Sequence, residues 1–318
     1  MKMTSKAKKA ALVLVLVLAL AVGCAADPAA TQTPGEPSPQ TSSGEPAAQP
    51  SPGEPVGGED LKSGEIIVIS REEGSGTRGA FTELFGVLDE NKADMTTLSA
   101  EITNSTSVMM TSVAGNADAI GYISLGSLNS SVKGLKIDGA EASVANIKNG
   151  SYKISRPFNL ALKDEFSEAA ADFVGFIMSA EGQGVIEDGG YIKADENAAP
   201  YAGGGIAGRV VVAGSSSVTP IMEKLREAYL EINAGAEIEI QMSDSSTGVA
   251  AAIDGVCDIG MSSRELKDSE LEKGVYEMTI ATDGIVVIVS PESPADGLTK
   301  EQVRGIFIGE ITDWSGLR

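Results

Sequence analysis

The sequence predicts an α/β protein of two similar lobes with largely parallel sheets, and two patterns carry this prediction. Strand-like and helix-like runs alternate through residues 61–318, and strands that alternate with helices form parallel sheets. Two segments, 105–121 and 246–260, also resemble each other, since each reads as a polar loop, a short helix, a glycine turn and a strand. Two similar lobes predict a cleft between them, where ligands tend to bind.

The alternation can be followed element by element. Short apolar runs rich in β-branched residues predict strands at 65–70, 119–124, 210–213, 237–241 and 285–290. Longer runs with apolar residues at helical spacing predict helices at 78–85, 168–178, 220–232, 247–253 and 300–307.

Residues 1–60 are predicted to lie outside the fold. Four lysines precede thirteen apolar residues, 10–22, which indicates a signal peptide over residues 1–23; the alternative is an uncleaved membrane anchor. Gly23-Cys24 resembles the lipobox of bacterial lipoproteins, which implies an acylated Cys24. Residues 25–60 hold eight of the thirteen prolines and no basic residue. We therefore expect residues 24–60 to form a disordered tether.

Composition excludes several classes of function. The 318 residues contain no histidine, so a Ser-His-Asp relay and a histidine zinc site are absent. With 45 acidic against 24 basic side chains the net charge is -21, which argues against binding nucleic acid through bulk charge. Two cysteines, Cys24 and Cys257, form neither a disulfide framework nor a cysteine-rich metal site. We expect no cofactor and no metal.

Three loops of small residues carry the candidate chemistry. They lie between a strand and a helix at 71–77, 214–217 and 243–248. Glycine lets backbone N–H groups approach a ligand, serine and threonine donate hydrogen bonds, and a helix N-terminus adds partial positive charge. The loops suit a tetrahedral oxyanion. The alternative is that the hydroxyls only cap helices, at about 1 kcal/mol each.

Four segments carry a resemblance to a known family. Ser70–Phe81, Gly214–Pro220, Asp258–Arg264 and Ile311–Trp314 are similar to the phosphate-binding proteins of ABC transporters, the PstS family, and the similarity covers essentially all of 61–318. It implies a class II periplasmic-binding-protein fold that captures inorganic phosphate for a membrane permease. It also implies a monomeric, extracytoplasmic binding protein, not an enzyme, that touches the membrane only through its N-terminal lipid.

The resemblance also implies a set of ligand-binding residues, namely Arg71, Ser75, Gly76, Thr77, Ser216, Ser217, Ser245, Ser263 and Arg264. Ser263 stands where many members carry an aspartate that accepts a proton from phosphate, which predicts weaker discrimination between protonated and fully ionised oxyanions. Sulfate, molybdate and tungstate therefore stay open as ligands. Hydrolysis of a phosphate ester is the less favoured alternative.

The order of the motifs differs from that of the family, because the loop at 71–77 comes first here. This order predicts a circular permutant; the alternatives are a truncated tandem fusion or a gene-model error. Residues 61–155 plus 290–318 should then form the lobe with the arginine loop, and residues 156–289 the other lobe. Permutation also predicts that Trp314 lies close to residues 64–66.

Overall fold

The fold is taken from a computed structural model, which describes residues 64–317. The predictions for the signal peptide, Cys24 and the tether lie outside these residues. No helix within 64–317 has the length and apolarity to cross a membrane.

Twelve strands are present in the described part of the chain. They are β1 (Ile67–Arg71), β2 (Glu101–Thr103), β3 (Ala119–Ser124), β4 (Lys133–Gly134), β5 (Lys136–Ile137), β6 (Ser155–Leu162), β7 (Ile192–Lys193), β8 (Gly208–Ser215), β9 (Ala236–Ser243), β10 (Ile259–Ser262), β11 (Tyr276–Val289) and β12 (Gly297–Leu298). Ten of them form one sheet along the path β2-β1-β3-β11-β6-β10-β8-β9, with β4 and β7 beside β11, while β5 and β12 form a separate pair.

Nine α-helices accompany the strands within 64–317. They are α1 (Gly76–Phe85), α2 (Thr106–Ala114), α3 (Val144–Lys148), α4 (Glu168–Ile177), α5 (Ala180–Asp188), α6 (Thr219–Ile232), α7 (Ser245–Asp254), α8 (Asp268–Leu271) and α9 (Lys300–Phe307). Serine begins many of them, because a side-chain oxygen there accepts a hydrogen bond from an otherwise unpaired N–H of the first turn. Ser75 does so for α1 and Ser105 for α2.

Two large hydrophobic cores define the two lobes. The first core draws its buried side chains from residues 66–154 and 285–317, and the second from residues 158–281. Strand β11 joins the lobes, since its first part pairs with β6 and its last residues pair with β3. The first lobe is the one built around the first core, and the second lobe is the one built around the second core.

The parallel pairs predicted from the sequence lie at the two ends of the sheet, where β1 pairs with β2 and β3, and β8 pairs with β9 and β10. The centre is antiparallel, because β6 and β11 run against their neighbours. The sequence assigned Ile285–Val289 to the second lobe, but these residues pack in the first core. The reason is that β11 continues through both lobes and changes core near Asp283.

The last segment of the chain packs against the first core, through residues that include Phe307 and Trp314. The backbone N–H of Trp314 donates to the carbonyl of Gly64 at 3.0 Å, and that of Ile66 to Thr312 at 2.8 Å. The predicted contact between Trp314 and residues 64–66 is therefore confirmed.

Candidate functional site

One buried arginine reaches from the first lobe to the second. Arg71 ends β1 and is 2% exposed. Its Nη2 donates to Ser216 Oγ of the second lobe at 3.0 Å, and its Nε and Nη2 donate to the two carboxylate oxygens of Glu72 at 2.8 and 2.7 Å. The guanidinium is thus held on one side by its neighbour in sequence and on the other by a hydroxyl across the cleft.

Further polar contacts cross the cleft beside Arg71. The hydroxyl oxygens of Thr77 and Ser217 lie 2.7 Å apart, and that of Thr106 lies 3.4 Å from the same serine. The carbonyl of Gly74 accepts from both the N–H and the hydroxyl of Ser246, each at 3.2 Å. The two lobes therefore meet through hydroxyls and backbone groups, which is a closed arrangement of the cleft.

A cluster of three serines forms the second-lobe wall. Ser215 Oγ donates to Ser263 Oγ at 2.9 Å, the Ser245 and Ser263 hydroxyl oxygens are 3.3 Å apart, and the Ser263 N–H donates to Ser245 Oγ at 3.1 Å. Gly76 of the first lobe lies directly against this cluster. A Cβ at position 76 would stand 2.3 Å from Ser245 Oγ and 2.6 Å from Ser263 Oγ, so a side chain there would collide with the serines.

Four helices point their N-termini at this cluster of hydroxyls. Helix α1 begins at Gly76, α2 at Thr106 and α7 at Ser245, and α6 follows directly after the loop that holds Ser216 and Ser217. The first turn of a helix has unpaired N–H groups and a partial positive charge, so it favours anions. Four such ends around one buried guanidinium suit a tetrahedral oxyanion.

Most of the residues predicted from the sequence are brought together. Arg71, Ser75, Gly76, Thr77, Ser216, Ser217, Ser245 and Ser263 are buried where the loops meet. Arg264 has other partners: its guanidinium makes two hydrogen bonds to the Glu270 carboxylate, at 2.8 and 2.9 Å, and one to Ser246 Oγ at 3.1 Å. The Arg264 guanidinium is therefore engaged by Glu270 and Ser246 and not by the hydroxyl cluster.

Sequence reasoning missed three residues that the structure adds. Thr106 faces Ser217, Ser215 contacts Ser263, and Glu72 binds Arg71. Ser215 had a usable signal, because it ends a strand next to the predicted residue Ser216, and Thr106 begins a helix within the segment 105–121 that resembles 246–260. The sequence alone does not indicate which carboxylate neutralises Arg71; in the structure it is that of its neighbour Glu72.

An ion pair that is buried on both sides lies where the strands pass between the lobes. Arg156 of β6 donates to Asp283 Oδ2 of β11 from Nε and Nη2, at 3.3 and 3.2 Å, and from Nη1 to the Ser263 carbonyl at 3.1 Å. The other oxygen of Asp283 accepts from the hydroxyl of Ser124 in the first lobe at 2.9 Å. Burial raises the pKa of Asp283 to about 6 and lowers that of Arg156.

The carboxylates near the loops give no cluster that resembles a metal site. Asp244 caps α7 by accepting from the Thr247 N–H at 2.9 Å and from its hydroxyl at 2.5 Å. Across residues 64–317, no group of three or more Cys, Asp or Glu side chains is arranged to hold a metal ion.

Comparisons with known proteins show which family the chain resembles. A family model described as a PBP superfamily domain matches residues 53–181 and 199–316. Phosphate-binding protein PstS 2 of Streptococcus agalactiae serotype V is 56% identical over 259 residues, which cover 80% of this chain and 88% of that protein. Its namesake in Streptococcus pneumoniae serotype 4 is 43% identical over 259 residues, covering 80% and 89%.

A solved structure extends the match to three dimensions. The crystal structure of a phosphate-binding protein of a phosphate ABC transporter from Streptococcus pneumoniae superposes with a TM-score of 0.65 at 43% identity, covering 80% of this chain and 100% of that one. The residues that the family model matches hold both lobes and all the cleft loops, and each of the two relatives aligns over 80% of the chain. The chain therefore belongs to the PBP superfamily and, within it, to the PstS phosphate-binding proteins.

Proposed function

We propose that this protein captures inorganic phosphate between its two lobes and delivers it to the permease of an ABC importer. The observation that carries the proposal is the convergence of four helix N-termini and the buried guanidinium of Arg71 on one group of hydroxyls. The ligand set comprises Arg71, Ser75, Gly76, Thr77, Ser216, Ser217, Ser245 and Ser263, to which we add Thr106.

The two lobes divide this ligand set between them. Arg71 and Thr77 belong to the first lobe, whereas Ser216, Ser217 and Ser263 belong to the second, and Arg71 and Ser216 are hydrogen-bonded across the cleft. A tetrahedral anion bound here accepts hydrogen bonds from both walls, so binding it stabilises the closed form relative to an open one. Closure in turn removes water from the anion and strengthens each charge-assisted hydrogen bond.

Titration calorimetry of the full chain with inorganic phosphate tests the proposal. We expect stoichiometric binding, and phosphate at 100 times its dissociation constant should raise the free energy of unfolding by about 2.7 kcal/mol. The same titration with sulfate, molybdate and tungstate ranks the ligands. A chain that binds none of them, with an unchanged melting temperature, would contradict the proposal.

The protein acts as a carrier and not as an enzyme. The relatives named above are binding proteins, and the cleft described here offers donors but no histidine and no metal cluster within residues 64–317. Incubation with a chromogenic phosphate ester should release no product beyond the uncatalysed rate. Turnover that survives a chelator would favour the hydrolase alternative.

Attachment to the outer face of the cell membrane through a lipid on Cys24 belongs to the same proposal. It is supported by the basic and apolar runs before Gly23-Cys24 and by the proline-rich composition of residues 24–60. We expect the mature chain to be a monomer that partitions with the membrane, and Cys24→Ala to release it. Mass spectrometry of the mature N-terminus measures the acylation directly.

The motif order is proposed to be that of a circular permutant. The contact between Trp314 and Gly64 supports it, because permutation requires that the two ends of the globular part lie together. The two PstS 2 relatives align over 259 residues, so this order is shared with them. A chain relinked from residue 317 to 64 and opened within 197–208 should fold and bind phosphate with the natural affinity.

A further inference from the structure

The hydroxyl groups of the second-lobe wall form a directed chain. The backbone N–H of Ser217 donates to Ser215 Oγ at 3.3 Å, and the Ser215 hydroxyl donates to Ser263 Oγ at 2.9 Å. A hydroxyl has one proton and two lone pairs. The hydroxyl proton of Ser215 is thus used in the bond to Ser263, where it occupies one lone pair of the Ser263 Oγ.

The remaining protons can be counted. Ser245 Oγ accepts the N–H of Ser263 at 3.1 Å, and the two hydroxyl oxygens lie 3.3 Å apart. Only one of these two hydroxyls can donate to the other, so at least one of the two protons is left over. All three serines are buried, with Ser245 and Ser263 fully so. The proton that is left over can therefore be donated only into the cleft, to a bound anion.

Acceptors at this point are scarce, since the neighbouring carboxylates already have partners. Both oxygens of Glu72 bind Arg71, both of Asp244 bind Thr247, and both of Asp283 are bonded as described above. Two further carboxylates near the loops are in ion pairs, Glu270 with Arg264 and Asp94 with Arg78. Glu73, on the arginine loop, is exposed to solvent. Within residues 64–317 the wall thus offers the anion a spare proton and few free lone pairs.

We propose that Ser215 is a positioning residue for ligand choice: its donation fills a lone pair of Ser263 that could otherwise accept an O–H group of the anion, and this tunes the cleft to the dianionic form of its oxyanion. This inference rests on the proposed phosphate function. A monoanionic phosphate has two O–H groups that need acceptors, a dianion has one, and sulfate has none. A wall with few free lone pairs favours the form with fewer protons, because an O–H group of the anion that meets no acceptor is left unpaired.

Calorimetry of the full chain with inorganic phosphate from pH 5.5 to 8.5 tests the inference. The natural protein should bind more tightly as phosphate loses its second proton. Ser215→Ala frees a lone pair on Ser263 that can accept an O–H group of the monoanion, so its affinity should rise about threefold at low pH and change little at high pH, which flattens the profile. Ser262→Ala is the matched control, because Ser262 is equally buried but donates to the Arg264 carbonyl, and it should keep the natural profile.

Two further titrations separate this inference from the proposed function. Sulfate carries no proton in this pH range, so its affinity should be independent of pH and should fall about tenfold in Ser263→Ala. Ser263→Asp supplies an acceptor and should reverse the slope for phosphate, with tighter binding at low pH.

Three results would overturn the proposal. One is a natural protein that binds phosphate more tightly at low pH, since that requires an acceptor in the wall. Another is Ser215→Ala lowering affinity equally at every pH, which indicates a structural role only. The third is sulfate binding that is unaffected by Ser263→Ala. Absence of phosphate binding together with pH-independent sulfate binding would instead contradict the proposed function and leave the donor wall confirmed.

Discussion

Two arginines are buried within residues 64–317, and they differ in how far the partner carboxylate is exposed. Arg156 faces Asp283, which is itself buried and shares its two oxygens between Arg156 and Ser124. Arg71 faces Glu72, whose side chain is 23% exposed, and on its other side meets the hydroxyl of Ser216. A buried charge that is fully neutralised inside the protein supports the fold. One whose carboxylate opens to solvent and whose other side meets hydroxyls can still bind an anion.

Breaking the buried pair of Arg156 and Asp283 should have the largest effect on folding. Asp283→Ala leaves the Arg156 guanidinium buried without a counter-charge, so the free energy of unfolding at pH 7 should fall by about 3–5 kcal/mol. Urea unfolding measures it. Asp94→Ala is the control, since it breaks a partly exposed pair with Arg78 and should cost about 1 kcal/mol or less. Equal losses in the two variants would contradict the expectation that the buried pair stabilises the fold more than the partly exposed pair.

The same carboxyl should give the protein a dependence on pH. Burial raises the pKa of Asp283 to about 6, above the value of about 3.9 that an aspartate has in an unfolded chain. A group whose pKa is raised by folding contributes stability that is complete below about pH 4 and lost as pH rises through about 6. The unfolding free energy of the natural protein should therefore decline between pH 4 and 7 relative to Asp283→Asn. Parallel curves for the two proteins would show that Asp283 keeps its ordinary pKa.

Sequence reasoning reached one of these two arginines and not the other. Arg71 lies in a recognisable motif between a strand and a helix, and a local pattern of this kind is visible in the sequence. Arg156 and Asp283 are 127 positions apart and meet only because β6 and β11 pair in a particular register. Strand β6 was not predicted, and it contains Pro157, a residue that lacks a donor N–H and is unusual in a central strand.

Several helices and strands were predicted closely, whereas the hydrogen bonds among the cleft serines were not. Helix α9 was predicted with its observed bounds, 300–307, and β3 with 119–124. The contact of Ser215 with Ser263 could not be predicted, because it depends on the parallel pairing of β8 with β10 and on the face of the sheet on which each side chain lies.

Changing the cleft arginine should affect binding much more than folding. Arg71→Lys replaces a planar fork of donors by a point charge, so phosphate affinity should fall about tenfold, or about 1.4 kcal/mol. Without ligand, the free energy of unfolding should change by less than it does for Asp283→Ala, because the ammonium keeps Glu72 as its partner. Calorimetry and urea unfolding of one preparation give both numbers. Natural affinity in Arg71→Lys would remove Arg71 from the ligand set.

The smallest effect should come from the carboxylate that opens to solvent. Glu72→Gln removes the charge next to Arg71 but keeps a side chain that can accept one hydrogen bond from the guanidinium. Because Glu72 is partly exposed, water and salt screen its charge, and the free energy of unfolding should fall by about 1 kcal/mol or less. The loss should shrink further as salt rises from 0.05 to about 0.5 M, where the screening length is much shorter. The corresponding change at the buried pair, Asp283→Asn, should depend little on salt, since no ion reaches it. If both variants respond to salt alike, then Asp283 is as open to solvent as Glu72, and exposure of the partner carboxylate does not separate the arginine that binds from the arginine that holds the lobes together.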